Sequence, residues 1–222
     1  VCSADLLSLW TQESPRADRH LSRAMRRLTR IDVRSVEQVT SLDDDDVFNW
    51  PWIYAVQVGE WGLTEKEGAK LREYLDRGGF WWCDDFWGLD QWDRFARNMG
   101  KVYPELAAEL ADPRKSALEI TPKHESFHTF FDIETVMQIP NIRNGIEYTR
   151  TNGQAATWEQ ASDTDARVFG IKDAKGRMQV LMTYNSDLGD AWEHMDNPEY
   201  PEKFSGQAYR MGMNFIIYGM TH

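Results

Sequence analysis

One stretch decides the fold: it reads WIYAVQV at residues 52–58, LTEKEGAKLREYLDR at 63–77 and GGFWWCDD at 78–85. The first segment is almost continuously apolar, which is typical of a strand covered on both faces. The second has apolar residues at helical spacing, Leu71, Tyr74 and Leu75, and Thr64 fits its N-cap. Two glycines then end the helix before a second apolar strand. A strand, a helix and a strand with short connections predict a βαβ unit and therefore a parallel sheet.

The composition of the whole chain limits the kinds of protein that it can be. The 222 residues include 25 Lys and Arg against 36 Asp and Glu, a formal charge of −11, and 41% are hydrophobic. This length and composition predict a folded domain with a sizeable core. No apolar run reaches the roughly 18–20 residues that a membrane-spanning helix needs, and the negative charge argues against non-specific nucleic-acid binding. Ten Trp, ten Phe and eight Tyr predict an aromatic core, a partner surface or both.

The remaining elements follow from shorter patterns. We predict a strand at 31–33, helices at 92–99 and 204–220, and a β-hairpin formed by 166–172 and 177–184. The turn of this hairpin reads DAKG, and the acidic run at 43–46 indicates a loop. Cys2 and Cys83 are too few for a disulfide framework.

The N-terminal region is basic. Seven arginines and two aspartates lie between residues 16 and 34. The Ser-Pro pair at 14–15 fits a helix start, and Leu21, Met25 and Leu28 form one apolar stripe. The arginines either lie beside the acidic surface of the chain itself or dock an acidic partner or anionic lipid headgroups.

We therefore expect residues 1–30 to be a tail with a basic helix, and 31–222 to form a single domain. The apolar cluster ahead of the helix is too short for a domain, so it is either frayed or laid along a partner. The candidate docking residues are Leu6, Leu7, Trp10, Arg16, Arg19, Arg23, Arg26, Arg27 and Arg30.

Four blocks of this sequence resemble the bacterial domain-of-unknown-function family 4159. They read FNWPWIY at 48–54; LREYL at 71–75 with GGF at 78–80 and DD at 84–85; YN at 184–185 with DL at 187–188; and RMGMN at 210–214 with Tyr218. The Gly-Gly-Phe strand that ends in Asp-Asp is the most specific of them. The resemblance extends from about residue 31 to the C-terminus.

This family is similar to the class I glutamine-amidotransferase-like fold, which is flavodoxin-like. The resemblance implies an α/β fold with a doubly wound, mostly parallel sheet flanked by helices, an additional β-hairpin, and a functional rim at the carboxyl ends of the strands. It implies no activity, because the family is uncharacterised. Members often carry export signals or membrane anchors, which implies an extracytoplasmic, periplasmic setting.

Amidotransferases of this fold place a cysteine nucleophile on a tight turn just after a central strand. Here that turn holds residues 84–88, and Cys83 lies one residue too early, inside the apolar run. A buried thiol has a raised pKa and is a poor nucleophile. We therefore expect no amidotransfer and no cofactor.

Polar residues follow two of the predicted strands. Asp84 and Asp85 alternate in direction, so at most one faces the rim, and either a capping or a pocket role is open to each. Asn185, Asp187 and Asp190 either satisfy loop backbone or join Asp84 in an acidic pocket for a cation or polyol. The nearby tryptophans either fill the core or stack on sugar rings; they are Trp81, Trp82, Trp87, Trp92 and Trp192.

His124 and His128 match the His-Glu-x-x-His pattern of zinc peptidases, in which the glutamate acts on a zinc-bound water. The residues at 129–133 favour a strand over a helix, and the sequence specifies no third ligand. We interpret the match as fortuitous and expect a non-catalytic histidine pair near the rim, with the identity of any metal open.

Two classes of function follow. The first is a non-catalytic, extracytoplasmic binding or accessory subunit of a larger envelope or membrane-associated complex, whose host is a secretion, respiratory or photosynthetic assembly. The second is a hydrolase or a carbohydrate- or metal-binding domain that uses an acidic cleft at the strand ends, with Asp84 or Asp85 as base or ligand. The missing nucleophile, the apolar tail and the aromatic excess favour the first.

Overall fold

A computed structural model describes residues 15–34 and 36–222, together with the backbone of residues 2–4. The elements, in chain order, are β1 (Cys2–Ala4), α1 (Arg16–Leu28), β2 (Gln38–Thr40), β3 (Trp52–Val56), α2 (Glu65–Asp76), β4 (Phe80–Asp84), α3 (Gly88–Val102), α4 (Ala107–Leu110), β5 (Glu119–Ile120), α5 (Ile142–Arg150), β6 (Arg167–Lys172), β7 (Met178–Tyr184), α6 (Leu188–Glu193) and α7 (Glu202–Thr221). No helix in this part of the chain has the length and apolarity that crossing a membrane requires.

The strands form one mixed sheet in the order β2-β1-β3-β4-β7-β6-β5. The pairs from β2 to β7 are parallel, whereas β6 is antiparallel to both β7 and β5. The predicted α/β class, the parallel pair β3 and β4, and the β6–β7 hairpin are therefore confirmed. Because β4 and β7 are parallel neighbours, their carboxyl ends meet at the same edge of the sheet.

Local sequence explains the βαβ unit. Thr64 and Glu67 form a reciprocal capping box at the start of α2, which satisfies two backbone N–H groups of its first turn. Leu71, Tyr74 and Leu75 are buried, as their spacing predicts. Gly78 has a φ of 109°, a left-handed conformation that favours glycine after a helix end.

The core has two layers, one on each face of the sheet. Successive residues of β4 alternate between them: Trp81 and Cys83 pack with α2 and α3, whereas Phe80 and Trp82 pack with α1, α6 and α7. The five tryptophans that the sequence placed around the rim are all buried. They fill the core and present no stacking face to a sugar ring.

Several expectations about the N-terminal third are wrong. Residues 2–4, expected in a tail, form β1 between β2 and β3. Residues 31–33 form no strand: Ile31 and Val33 pack singly against the core, and the strand lies at Gln38–Thr40. Pro15, expected at the first helical position of α1, is its N-cap, so the helix begins one residue later; Ser14, the expected N-cap, lies outside the described residues. Leu28, expected in the inner stripe, is 51% exposed.

Candidate functional site

The strand ends bring the predicted polar residues together. Asp84 is the last residue of β4, and Asn185 follows β7. The segments that follow β4 and β7 stay paired beyond the sheet, because Asp85 N donates to Ser186 O at 3.1 Å and Asn185 N donates to Phe86 O at 3.0 Å. Asp187 and Asp190 then begin α6. The geometry of parallel neighbours thus gathers Asp84, Asp85, Asn185, Asp187 and Asp190 at one edge.

Asp84 is a fully buried carboxylate whose two oxygens together accept four hydrogen bonds. Its Oδ1 accepts from Thr183 Oγ1 at 2.5 Å, and its Oδ2 accepts from Tyr54 Oη at 2.6 Å. The same Oδ2 accepts from the backbone N–H groups of Leu188 at 2.8 Å and Gly189 at 3.3 Å. Asp84 therefore caps α6, the helix that follows β7, and not α3, the helix that follows β4. Burial outweighs these hydrogen bonds and raises the pKa of Asp84 to about 6.

Asn185 takes the capping role at α3. Its Oδ1 accepts from Gly88 N at 2.8 Å, and its Nδ2 donates to the carbonyls of Asp163 and Asp165. Its backbone is left-handed, with a φ of 56°, a region that asparagine tolerates better than most residues. Asn185 thus satisfies backbone groups of the surrounding loops, which is one of the two roles that its sequence position predicts.

A cluster of three carboxylates lies beside these two residues. Asp85, Glu159 and Asp187 each offer an oxygen, and these oxygens lie within 4.8 Å of one another. Asp187 Oδ1 accepts from Asp190 N at 2.7 Å, and Glu159 Oε1 accepts from Asn141 Nδ2 at 2.5 Å. These contacts hold two of the carboxylates in place from the backbone of α6 and the start of α5.

Asp85 is the least satisfied member of this cluster. It is only 7% exposed, and its φ of 52° places it in the left-handed region immediately after β4. Its Oδ1 accepts from Trp87 Nε1 at 2.7 Å, and no other donor among the described residues reaches the carboxylate. A buried charge with a single donor is energetically costly, so the site favours a bound positive charge.

The pKa values of the cluster also indicate that its negative charges are poorly compensated by the protein. Burial raises the pKa of Asp85 well above its usual range, and the negative charges of Glu159, Asp84 and Asp190 raise it further. Burial also raises the pKa of Glu159; the hydrogen bond from Asn141 opposes this rise, and the charge of Asp190 adds to it. Like charges at close range disfavour simultaneous ionisation unless a cation or a shared proton intervenes.

Asp190 lies at the same strand ends, but its side chain contacts the start of α5. Its Oδ2 accepts from Ile142 N at 2.7 Å. With Glu193 and His194 it forms a second, half-buried set of possible ligand atoms on α6. The side chain therefore links α6 to α5 and lies beside the three-carboxylate cluster without being part of it.

The two histidines lie elsewhere. Glu125, between them, lines a groove with Gly78 and Gly176, which precede β4 and β7, so this region is at the opposite edge of the sheet from Asp84. The expectation of a histidine pair near the rim is wrong. His128 uses both ring nitrogens, at 3.1 Å from Asp132 Oδ1 and 2.6 Å from Pro122 O.

The local backbone there also differs from that of a zinc peptidase. Residues Glu125–Phe127 form a 3₁₀ turn, and His124 Nδ1 lies 2.9 Å from Ser126 Oγ. Two histidines one α-helical turn apart are what the peptidase motif needs. A 3₁₀ turn does not present them on one face.

Cys83 is fully buried in β4, and burial raises the pKa of its thiol well above the usual range. The residue in the strained turn after the strand is Asp85. This arrangement agrees with the expectation that Cys83 is a poor nucleophile.

The candidate docking arginines divide into two groups. Arg16 pairs with Asp196 at 2.6 Å and Arg19 with Glu37 at 3.0 Å, so these two meet the acidic surface of the chain itself. Four others are exposed and form no ion pair with any residue in the described ranges; they are Arg23, Arg26, Arg27 and Arg30. The apolar candidates Leu6, Leu7 and Trp10 lie outside the described residues.

Glu159 and Thr183 were not among the residues predicted from the sequence. Thr183 carried a weak signal, because it is a polar residue near the end of an otherwise apolar strand. Glu159 carried none, since it lies in an irregular segment between α5 and β6 whose path depends on tertiary contacts.

A family model described as Domain of unknown function (DUF4159) matches residues 7–220, so the chain belongs to this family. The match begins well before residue 31, where the resembling motifs begin, and therefore includes α1. No curated protein matches the chain.

Proposed function

We propose that this member of the DUF4159 family is a binding domain that holds one hard divalent cation at Asp85, Glu159 and Asp187. The observation that carries the proposal is the convergence of three carboxylate oxygens within 4.8 Å around a buried aspartate that receives one hydrogen bond. A bound cation compensates such a group without further donors; the alternative is protonation of the carboxylate.

The dimensions suit an ion with oxygen ligands. Oxygens that bind Ca²⁺ lie about 2.3–2.6 Å from it, so two ligands on opposite sides are about 5 Å apart. Mg²⁺ requires about 2.0–2.1 Å and keeps several waters. The oxygens of the cluster lie within 4.8 Å of one another, which is within the spread of ligands around Ca²⁺, whereas Mg²⁺ needs its ligands closer together.

The position in the sheet supports a ligand site. In open parallel α/β sheets ligands bind outside the carboxyl ends of the strands. The parallel order β2-β1-β3-β4-β7 supports the proposed likeness to the flavodoxin-like, doubly wound amidotransferase fold. In that comparison Asp85 occupies the turn where an amidotransferase has its nucleophile.

Isothermal titration of the chelator-treated protein with Mg²⁺, Mn²⁺ and Ca²⁺ tests the proposal. We expect one saturable site for at least one ion. Glu159→Gln should weaken it at least about tenfold, about 1.4 kcal/mol of binding free energy. The matched control is Glu147→Gln, which removes the same charge from an exposed site on α5. No binding at millimolar ion, or equal affinity in both variants, would exclude the site.

A second candidate is an accessory role in a larger extracytoplasmic, membrane-associated complex. The observation that favours it is a set of exposed arginines on α1 and just after it, Arg23, Arg26, Arg27 and Arg30, which have no ion-pair partner in the described ranges although the chain carries a charge of −11. The test is the size of the assembly in which the full chain is recovered from gently solubilised membranes. Recovery as a free monomer would exclude this role.

A further inference from the structure

A groove with a volume of about 460 Å³ runs between α1 and α7. Its basic residues are Arg23 and Arg27 on α1 and Arg210 on α7, so positive charge stands on both walls. None of the three forms an ion pair with a residue that the structure describes. The single acid in the groove, Asp196, is paired with Arg16. The groove is therefore a positive region on a chain whose net charge is negative.

The groove is also apolar inside. Leu28 is 51% exposed and Met195 is 48% exposed, and both line it. The half-buried Phe131 also lines the groove, and the buried Met213 of α7 lies beneath it. Leu28 continues the stripe of Leu21 and Met25, which are buried, so α1 leaves its last apolar position uncovered by the described residues. Exposed apolar area rimmed by charge marks interaction surfaces.

From this combination we infer that the groove binds an acidic amphipathic helix of a partner protein. Arg23 and Arg27 are four residues apart on one helix, about 6 Å along its axis. Carboxylates one turn apart on a helix laid beside α1 match this spacing, and Arg210 faces acids on the other flank. The apolar stripe of the partner helix then covers Leu28 and Met195, as in helix-in-groove recognition.

A lipid surface fits this geometry less well. A membrane contacts arginines that project from a convex face, whereas Arg23, Arg27 and Arg210 line a concavity together with apolar residues. The inference rests on the accessory role proposed above and is independent of the cation site.

The test uses a synthetic 18-residue helix-forming peptide with leucines at alternating spacings of three and four and glutamates on both flanks. Fluorescence anisotropy measures its binding to the full chain. We expect saturable binding, at least tenfold weaker binding of the glutamine analogue, and a similar loss in Arg27→Glu and Arg210→Glu. The control Arg143→Glu, which reverses an exposed charge on α5, should change affinity less than twofold.

Three results would overturn the inference: no binding of the glutamate peptide, equal loss in Arg143→Glu, or groove-dependent binding to phosphatidylglycerol vesicles without binding to the peptide. The assembly of the chain in its native membranes separates this failure from failure of the accessory role. A chain that stays in a large complex despite Arg27→Glu and Arg210→Glu would overturn the groove alone. Recovery of the natural chain as a free monomer would overturn the accessory role.

Discussion

Asp84 and Asp85 are adjacent in sequence and both are buried, yet the regions around them treat a negative charge in different ways. Asp84 receives four hydrogen bonds, from two hydroxyls and two backbone N–H groups at the start of α6. Asp85 receives one and faces the carboxylates of Glu159 and Asp187. The number of donors, and not burial, separates a structural carboxylate from a candidate ligand.

The difference has a backbone origin. Asp84 belongs to β4, so its side chain stands on one face of the sheet, where Tyr54 of β3 and Thr183 of β7 donate to it. Asp85 lies in the left-handed turn after the strand, which directs it away from those donors. Two adjacent carboxylates thus differ in their surroundings: hydrogen-bond donors surround Asp84, whereas only one donor reaches Asp85 among the described residues.

The largest effect is expected at Asp84. Asp84→Ala should lower the free energy of unfolding by about 3–5 kcal/mol, because it removes a buried acceptor that serves two hydroxyls and two N–H groups of α6. Urea denaturation at neutral pH measures this. Asp84→Asn keeps the shape and one acceptor oxygen, so its loss should be smaller. A cost below about 1 kcal/mol for the alanine variant would break the comparison.

The pH dependence gives the next largest effect. Because the pKa of Asp84 is about 6 in the folded protein against an ordinary 3.8, the folded state binds the proton more tightly than the unfolded chain. The contribution of Asp84 to stability is therefore greatest below about pH 4 and decreases as the pH rises through about 6. A shift of about two units corresponds to about 3 kcal/mol.

Asp84→Asn cannot titrate in this range. The free energy of unfolding of the natural chain minus that of this variant, measured with chelator present, should therefore fall by about 2–3 kcal/mol from about pH 4 to about pH 7. Parallel curves for the two proteins would show that the buried group does not titrate there.

Asp85 should behave in the opposite way to Asp84. Asp85→Asn removes a poorly compensated charge and keeps a residue that tolerates left-handed backbone, so it should raise the free energy of unfolding at neutral pH by about 1 kcal/mol. Asp85→Ala should gain less, because alanine at this φ is strained. Thermal melts of the two variants without divalent ions provide the measurement. A loss of stability in Asp85→Asn would place Asp85 among the structural residues.

The smallest effect on intrinsic stability is expected at Glu159. Glu159→Gln should change the free energy of unfolding by less than about 0.5 kcal/mol in chelator, since the residue is half-buried and part of a loop. At an ion concentration about 100 times Kd, the natural chain should gain about 2.7 kcal/mol and the variant much less. Equal gains in melting temperature for both proteins would separate Glu159 from cation binding.

The predictable part of the fold is local. The βαβ unit, the β6–β7 hairpin and the last helix follow from apolar periodicity, a capping pair and glycine stops, all of which act over a few residues. Strand β1 is one of the elements that the sequence does not indicate, because three residues hold too little periodicity to predict a strand. Its place in the sheet comes from pairing with β2 and β3.

The candidate site was predicted in the same partial way. The sequence places Asp84, Asp85, Asn185 and Asp187 after two strands, and parallel pairing is enough to bring them together. It does not assign their roles, since a role depends on which donors arrive from distant elements. Tyr54, Thr183 and the start of α6 come from three separate parts of the chain.

The sequence by itself determined the α/β class, the acidic strand ends and the place of Cys83 inside an apolar strand, because periodicity and residue type act at short range. Only the tertiary structure decided that Asp84 caps α6, that Glu159 joins Asp85 and Asp187, and that Arg23 and Arg27 face Arg210 across a groove. Those arrangements depend on contacts between residues far apart in the chain, whose charges and hydrogen-bond donors meet only when the sheet and its helices pack.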